Sequence, residues 1–341
     1  KTREAYLYQL DRFVTYYHLE SIDSILSLEN NDFKEKIEDY VIFLKNQNKS
    51  PGYIRLILFA LKSFCDSNDK LGINWKKIRR LLGKKQKPKK SRPFTTTEIK
   101  QMLASVKDLR NKALILFLSS SGVRRGAIPE LKIKHLKEMP NDCLAVTVYA
   151  ETPEEYTTFI NKEAKDALIL YFEKRKRDGE HLDLEHPVFR AKYQLGIAKP
   201  KPFSQVSVSN VILRAKNNAG INTVDSNLLC HAFRRRFNTI LKLNKSANPQ
   251  LIERLMGHDM GLDNSYFQPT LNDLFEEYQK GVSSLMIDDS ERILEEKNNI
   301  EKEKLELEKT NEENKKLRAD VEALTLKVER MSESIERNNK K

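Results

Sequence analysis

The stretch that decides the fold reads Cys230-His231-Ala232-Phe233-Arg234 and lies inside the longer segment 227–278. On a helix, residues three apart share one face, so His231 and Arg234 can both reach a single anion. Further along, Met256-Gly257-His258 breaks the helical pattern, and Tyr266 follows in a loop rich in Gly, Asp and Asn. An imidazole, a guanidinium and a phenol in this order favour phosphate chemistry over packing.

The charge of the chain is unevenly distributed. Its 341 residues, enough for two domains, contain 61 Lys and Arg against 49 Asp and Glu, a net charge of +12. Residues 287–341 hold 13 basic and 16 acidic side chains, so the first 286 residues carry a net charge of +15. A basic globular body indicates a polyanionic partner, most simply nucleic acid, although a solvated surface without such a role gives the same balance.

Cysteine usage and hydropathy exclude several classes of protein. The three cysteines, Cys65, Cys143 and Cys230, are far apart and form no CxxC pair. This pattern argues against a disulfide framework and a zinc site, and it fits a reducing cytoplasm. No apolar run approaches the roughly 18 residues that a membrane span needs, and no signal peptide is visible. The sequence starts at Lys1 without an initiator Met, which suggests a missing N-terminal piece.

Residues 1–82 read as a compact bundle of helices. Apolar side chains recur at helical spacing over 6–17, and a second helix is expected over 33–44. Pro51 stands at the first position of a third helix that is apolar on most sides, and 75–82 reads as a short closing helix. This part carries no constellation of catalytic side chains.

Residues 83–94 read as a basic linker. Within 84–93 there are six basic residues and two prolines, which cannot bury a core and favour an extended chain. The segment serves either as a plain connection or as a connection that also lies along a phosphate backbone.

Residues 95–282 read as a second, mainly helical domain. Thr95-Thr96-Thr97-Glu98 is a capping box that opens its first helix. Val-rich alternation over 143–149 predicts a strand that pairs with 156–160 across a turn, which gives one small antiparallel sheet. Helices are expected over 99–106, 110–118, 164–177 and 206–219.

Residues 283–341 read as a coiled-coil tail. Ile293, Ile300, Leu307, Asn314, Val321, Val328 and Ile335 are spaced by seven, with Leu317, Leu324 and Met331 at the d positions that follow. Val at a with Leu at d favours a parallel dimer, and an Asn at a fixes the register. The first-half d positions hold Glu296, Glu303 and Thr310, so self-association is predicted from about Asn311. A long solvated helix is the alternative.

Four short boxes in this order resemble the tyrosine recombinase (phage integrase) family, of archaeal or bacterial type. Ser121-Gly122-Val123-Arg124 resembles its first-arginine box, and 230–234 its His-x-x-Arg box. Leu255-Met256-Gly257-His258 resembles its Leu-x-Gly-His box, and Tyr266 stands where its nucleophile is expected. The order and spacing of the four boxes are specific, and the helical N-terminal domain and basic linker resemble the family's core-binding arm.

The resemblance implies a site-specific DNA recombinase or integrase with the catalytic set Arg124, His231, Arg234, His258 and Tyr266. The two arginines would bind the non-bridging phosphate oxygens, His258 would donate a further hydrogen bond, and His231 would take or hold the proton of Tyr266. It also implies a 3′-phosphotyrosyl intermediate that needs no metal, ATP or other cofactor. Its partners would be double-stranded DNA, clamped between the two domains, and further copies of the chain, as a tetramer on two sites.

Two departures from the family's pattern concern the site. The family carries a general-acid lysine on a hairpin turn, where this chain has the acidic residues 150–155; Lys162 is the nearest candidate downstream. Ala127 replaces a glutamate that buttresses the first arginine, and Glu130 is its possible substitute.

Three neighbouring residues are read as ordinary ones. Arg235 and Arg236 are expected to face solvent or the DNA backbone, and Tyr278 is expected to pack in the core.

Other functions remain open at this point. The missing hairpin lysine favours a DNA-binding relative with impaired cleavage, and a type IB topoisomerase-like nicking and closing enzyme would share the chemistry. A scaffold built around the coiled coil is the fourth alternative. The leading prediction is a recombinase, associated with DNA in the cytoplasm and without a membrane segment.

Overall fold

The computed structural model describes residues 2–82, 92–192, 199–222, 229–261 and 266–290, and individual residues between 292 and 324. The chain separates into two compact units, Lys1–Lys90 and Ser91–Lys341. The described residues are mainly helical with a small antiparallel sheet, which confirms these two parts of the predicted fold class; the coiled-coil tail stays a prediction. None of the described helices is long and apolar enough to cross a membrane. Most of the predicted linker, 83–91, lies outside the described residues, as does the tail beyond 324.

The first unit is a helical bundle around one apolar core. Its helices are α1 (Thr2–Tyr16), α2 (Ser24–Ser27), α3 (Asn30–Asn46), α4 (Pro51–Ser67) and α5 (Trp75–Arg80). The side chain of Ser50 caps α4 by accepting a bond from the Tyr53 amide (3.1 Å), with Pro51 at the first helical position as predicted. Only α2 has no counterpart in the sequence prediction, since four residues are too few to show a helical period.

The helices of the second unit surround its sheet. They are α6 (Thr96–Ser105), α7 (Leu109–Ser121), α8 (Lys162–Arg177), α9 (Gln205–Asn218), α10 (Leu229–Leu243), α11 (Pro249–Leu255), α12 (Leu271–Gln279) and α13 (Val282–Leu285). The predicted capping box is confirmed: the Thr95 amide donates to Glu98 Oε2 (2.9 Å), and the Glu98 amide donates to Thr95 Oγ1 (3.2 Å).

The sheet has three antiparallel strands in the order β1 (Leu136–Met139), β2 (Cys143–Val148) and β3 (Tyr156–Ile160). In the predicted hairpin, Val148 pairs with Tyr156 and Leu144 with Ile160. The strand β1 was not predicted, because its four residues are half charged and show no run of β-branched side chains. It forms because Asn141 and Asp142 adopt the left-handed conformation that a tight hairpin needs.

The helix α7 lies in the centre of this unit, and its buried C-terminal end carries three serines. Ser120 Oγ accepts a bond from the Asn161 amide (2.7 Å) and bonds to the hydroxyl of Tyr278 (2.9 Å). The Ser121 carbonyl accepts a bond from Thr158 (3.0 Å). Because buried polar groups need partners, these bonds fix the end of α7 against the sheet and against α12. The chain that leaves α7 here leads directly to Arg124.

The expected exposure of Arg236 is wrong. This side chain is only 3% exposed and donates to the carbonyls of Leu285 (3.2 Å) and Ser284 (3.3 Å), to Ser119 and to Thr96. Successive helical residues point about 100° apart, so Arg234, Arg235 and Arg236 face three directions. The helix α10 is buried on two of them, and only Arg235 is exposed as expected.

Candidate active site

Hydrogen bonds between side chains and carbonyls join three of the four boxes. Arg234, which is 5% exposed, donates through Nη1 to the carbonyl of Gly122 (2.8 Å) and through Nη2 to that of Met256. Arg124 donates through Nη2 to the carbonyl of Gly257 (3.0 Å). Since each arginine is held by a box other than its own, segments far apart in sequence form one constellation.

Two glycines make this close approach possible. Gly122 ends α7 in the left-handed conformation (φ +61°), and a Cβ on it would stand 2.7 Å from the ring of Phe237. Gly257 is also left-handed (φ +57°), and a Cβ on it would overlap the ring of Tyr156. A larger residue is therefore excluded both by backbone conformation and by space.

The arginines line a cleft of about 440 Å³. Its walls include Arg124, Arg125, Gly126, Gln205, His231 and Arg234. Arg125 is held across it by a bond from Nη1 to Ser209 Oγ (2.7 Å). Three guanidinium groups in one cleft form a site for a phosphate, because the planar guanidinium matches phosphate oxygens in bidentate geometry.

His231 is an exposed member of the cleft, on the first turn of α10. Its pKa is lowered from the ordinary value of 6.5, first by partial burial and then by the positive charges of Arg234, Arg235, Arg124 and Arg125. The imidazole is thus neutral at neutral pH and can accept a proton.

His258 is oriented by a carboxylate. Its Nδ1 pairs with Glu253 on α11, and Glu253 also pairs with Lys242 on α10. Partial burial raises the pKa of Glu253, but the hydrogen bonds from Lys242 and His258 outweigh it and the pKa is lowered. With Nδ1 committed to this carboxylate, Nε2 is the nitrogen left to bond a ligand. Sequence reasoning missed Glu253, although its place five residues before His258 could have suggested it.

Tyr266 is 87% exposed, and no hydrogen bond joins it to the cleft among the described residues. Residues 262–265, which precede it, lie outside the described residues. The residue after it is anchored, since Arg254 on α11 donates from Nη2 to the carbonyl of Phe267 (2.5 Å). The structure thus brings Arg124, Arg234 and His231 together and leaves the hydroxyl of Tyr266 open to solvent.

Tyr278 is fully buried, and its hydroxyl bonds to Ser120. Burial raises its pKa well above the ordinary value of 10. The expected packing role agrees with this position, which offers the hydroxyl no access to a phosphate.

The structure does not bring Lys162 to the cleft. Tyr156, at the turn end of β3, packs on Gly257, whereas Lys162 lies beyond the other end of that strand. Six residues of extended chain span about 20 Å. Lys162 there pairs with Asp166 (2.9 Å).

Glu130 is the candidate to replace the glutamate that buttresses the first arginine. It is exposed and lies at the end of the 3-10 turn 125–130, whereas Arg124 donates a hydrogen bond to the carbonyl of Gly257.

Two tyrosines that flank the hairpin turn were missed by sequence reasoning. Tyr156 is mostly buried; burial raises its pKa, and the nearby charges of Arg234 and Arg124 oppose the rise. Tyr149 lies beside it, with the ring centroids 6.3 Å apart. An aromatic residue on each side of an acidic turn was the available signal.

Comparisons with known proteins give one family and one fold. The model of the phage integrase family matches residues 92–262. The structure of XerH site-specific recombinase bound to difH substrate has a TM-score of 0.51 at 17% identity, covering 75% of this chain and 71% of that one. The Tn1549 transposon integrase in complex with transposon right end DNA has a TM-score of 0.51 at 19% identity, covering 72% and 84%. A search of curated protein sequences found no match. At these identities the structures show a shared fold.

Proposed function

The chain belongs to the phage integrase family, and from this premise we propose that it is a site-specific DNA recombinase that acts through a 3′-phosphotyrosyl intermediate. The observation that carries the proposal is the closed set of bonds from Arg124 and Arg234 to the glycine boxes, around a cleft lined by three arginines. The recombinase and the integrase with a similar fold were each solved on DNA, which supports DNA as the partner of this chain.

In the proposed reaction, Arg124 and Arg234 bind the two non-bridging oxygens of the scissile phosphate. The described bonds use one donor of Arg124 and two of Arg234, and a guanidinium has further N–H donors for an anion. Because both groups are fixed before DNA arrives, they stabilise the charge that develops on phosphorus oxygens without reorganising. His258 adds a hydrogen bond from Nε2.

The nucleophile is Tyr266, whose hydroxyl attacks phosphorus as its proton passes to the neutral His231. The P–O5′ bond breaks, which leaves the DNA joined to Tyr266 through its 3′-phosphate and frees a 5′-hydroxyl. Attack by a 5′-hydroxyl of another strand reverses these steps and rejoins the DNA. Each bond broken is replaced by an equivalent one, so the exchange requires no external energy source.

Assembly of the active complex is proposed to involve several copies of the chain on two DNA sites, as a tetramer. The predicted helical domain (1–82), the basic linker (83–94) and the catalytic domain (95–282) would each contact DNA. The tail (283–341) would join copies of the chain.

The proposal is tested by trapping the covalent intermediate. The protein is incubated with a random-sequence duplex library that carries a nick near each possible cleavage position, so that the short 5′-hydroxyl fragment diffuses away. Wild type is expected to form an adduct that survives denaturation, and sequencing of its DNA yields the site. No adduct across the library would overturn the cleavage function and favour a DNA-binding relative.

Two phenylalanine variants identify the nucleophile. Tyr266→Phe is expected to abolish the adduct, and Tyr278→Phe is expected to form it, since that hydroxyl is buried. An adduct with Tyr266→Phe would remove Tyr266 from the mechanism. Formation of joint molecules between two copies of the recovered site would show recombination. A nicking and closing enzyme would relax supercoiled DNA without forming them.

A further inference from the structure

The proposed cleavage step leaves one proton unaccounted for. Breaking the P–O5′ bond produces an alkoxide, which is a poor leaving group unless a proton donor stands beside it. The described turn between β2 and β3 has no lysine, and Lys162 lies at the other end of β3. Among the described residues, the side chains that surround the arginine cleft are the ones placed to supply this proton.

Tyr149 reaches the wall of this cleft. Its hydroxyl lies 3.2 Å from the point where a Cβ on Gly126 would stand, and Gln205 Nε2 lies 3.5 Å from the same point. Gly126 and Gln205 both line the cleft with Arg124 and Arg234. The missing side chain at Gly126 is therefore what makes room for the phenol hydroxyl at this wall.

The hairpin turn fixes the position of Tyr149. Its backbone is left-handed (φ +55°), which a bulky residue adopts only when its surroundings hold it there. The Tyr149 carbonyl accepts bonds from the Thr152 amide (3.1 Å) and the Thr152 hydroxyl (2.7 Å). On one side its ring contacts that of Tyr156, which itself packs on Gly257. Strain retained beside a functional cleft is typical of a side chain that has to point in one direction.

We propose that Tyr149 is a further catalytic residue, the general acid that protonates the departing 5′-oxygen; this inference rests on the proposed function. As the Tyr266 oxygen bonds to phosphorus, the electron pair of the P–O5′ bond stays on O5′, which takes the proton from Tyr149 Oη. Tyr149 is left as a phenolate beside the arginines. In the rejoining step the incoming 5′-hydroxyl returns the proton to Tyr149, and His231 returns its proton to Tyr266.

Other groups of the cleft are less suited to this step. Tyr156 has its hydroxyl buried, with no exposed surface on the oxygen. In the proposed reaction His231 accepts the proton of the nucleophile, and His258, whose Nδ1 pairs with Glu253, uses its Nε2 for a phosphate oxygen. Burial raises the pKa of Cys230 to about 11, and this thiol is also a weak hydrogen-bond donor. A phenol holds its proton at neutral pH and is a strong donor once arginines stabilise its anion.

The test compares two forms of the DNA recovered from the library: an ordinary phosphodiester and a 5′-bridging phosphorothiolate at the scissile position. A thiolate leaves without a proton donor, so loss of a general acid slows only the phosphodiester. Tyr149→Phe is expected to cleave the phosphodiester about 100-fold or more slowly than wild type and the phosphorothiolate within a few-fold of it. Rapid cleavage of the sulfur substrate also shows that the variant is folded.

A second variant crowds the hydroxyl without removing it. Gly126→Ala places a Cβ 3.2 Å from the Tyr149 oxygen at a backbone position that is not left-handed. It is expected to show the same selective loss on the phosphodiester, smaller in size.

Matched controls are Tyr156→Phe on the same hairpin and Lys162→Met on α8. Neither is expected to slow one substrate more than the other. Equal slowing of both substrates by Tyr149→Phe, or sulfur rescue of Lys162→Met instead, would overturn the assignment of Tyr149. Wild type that cleaves neither substrate would refute the proposed function itself, which is a different outcome.

Discussion

At the scale of single residues, Arg234 is bonded to the backbone of two other boxes and, in the proposed reaction, also binds the scissile phosphate. Its guanidinium spans the carbonyls of Gly122 and Met256, two points that a lysine ammonium cannot bridge in the same plane. We expect Arg234→Lys to slow adduct formation by about 100-fold or more, because it loses both the anchoring and the phosphate contacts. The rate is measured with the nicked duplex under single-turnover conditions.

The matched control for this prediction is Arg235→Lys. Arg235 is the next residue of the same helix and is exposed. Its replacement by lysine keeps the charge, so adduct formation is expected within a few-fold of wild type. Similar losses in both variants would show that Arg234 acts only as one more positive charge.

The lowered pKa of His231 predicts how the rate of cleavage depends on pH. Burial and the surrounding arginines lower its pKa below 6.5, so the neutral base persists to a more acidic pH than a free imidazole would. The second-order rate constant for adduct formation, which reports groups of the free protein, is expected to fall only below pH 6.5. His231→Gln should lower the plateau and remove this acid limb. A midpoint above 6.5, or a limb that survives in the variant, would contradict the role of His231 as the base.

Gly257 tests the close approach between the third box and the hairpin. Gly257 and Gly220 are both left-handed, with φ of +57° and +69°, but a Cβ on Gly220 would meet nothing within 4 Å. Gly220→Ala should cost about 1 kcal/mol for the backbone alone. Gly257→Ala adds the overlap with Tyr156 and should cost about 3 kcal/mol. Equal decreases in melting temperature for the two variants would mean that the hairpin moves away from the added Cβ with little loss of stability.

Individual residues also show where sequence reasoning succeeds and where it stops. Arg124 and Arg234 could be singled out because their boxes have fixed local spacing. Their bonds to boxes other than their own could not be predicted, since these depend on how α7, α10 and the 255–258 box pack together. Arg236 was misplaced for the same reason: a single helix shows which residues share a face but not how many faces are covered.

At the scale of elements, helices with local start signals were predicted well, whereas α2 and β1, of four residues each, were not. The capping box at Thr95 and the proline at the start of α4 are local chemistry and need no tertiary context. The strand β1 depends on its partner, since Leu136 pairs with Val146 and Met139 with Cys143. A strand of four residues gains its stability from that pairing rather than from its own composition.

Residues 280–288, which follow α12 and include α13, form a strap on the second unit. Glu163 accepts bonds from the amides of Ile287 (2.8 Å) and Asp288 (2.5 Å), and Arg236 binds two carbonyls of the strap. Burial raises the pKa of Glu163, and the bonds from the two amides oppose that rise. Ile287 itself is 3% exposed and belongs to the main core. The strap therefore covers the face of α10 that carries Arg236.

Ile287→Ala is expected to destabilise the second unit by about 2–4 kcal/mol, because it leaves a cavity in the core. The matched control is Ile169→Ala on α8, where the side chain is 46% exposed and the expected change is within about 0.5 kcal/mol. Circular dichroism follows the loss of stability. The single tryptophan, Trp75, lies in the first unit, so its fluorescence transition should stay in place. Equal effects of the two variants would show that the strap is not part of the core.

At the scale of the whole molecule, net charge distinguishes the first 286 residues from the tail (residues 287–341). The first 286 residues carry a net charge of +15 and residues 287–341 a net charge of −3. Binding of DNA by the body should weaken steeply with salt, since it releases counterions from the phosphate backbone. The net negative charge of the tail does not favour such binding, so its apolar positions point to another partner.

Those apolar positions predict self-association through the tail. Ile293, Val321 and Leu324 are about half exposed or more in a single chain, and the sequence places them at a and d of one heptad pattern. Two leucines two residues apart give a matched test: Leu324 is at d, facing a partner helix, and Leu326 is at f, facing away. Without DNA, the full chain should sediment as a dimer of the 39.8 kDa protomer. Leu324→Lys should shift it towards the monomer, as should truncation after Asp289, whereas Leu326→Lys should not. A wild-type chain that sediments as a monomer at the same concentration would remove the coiled coil from the description of this protein.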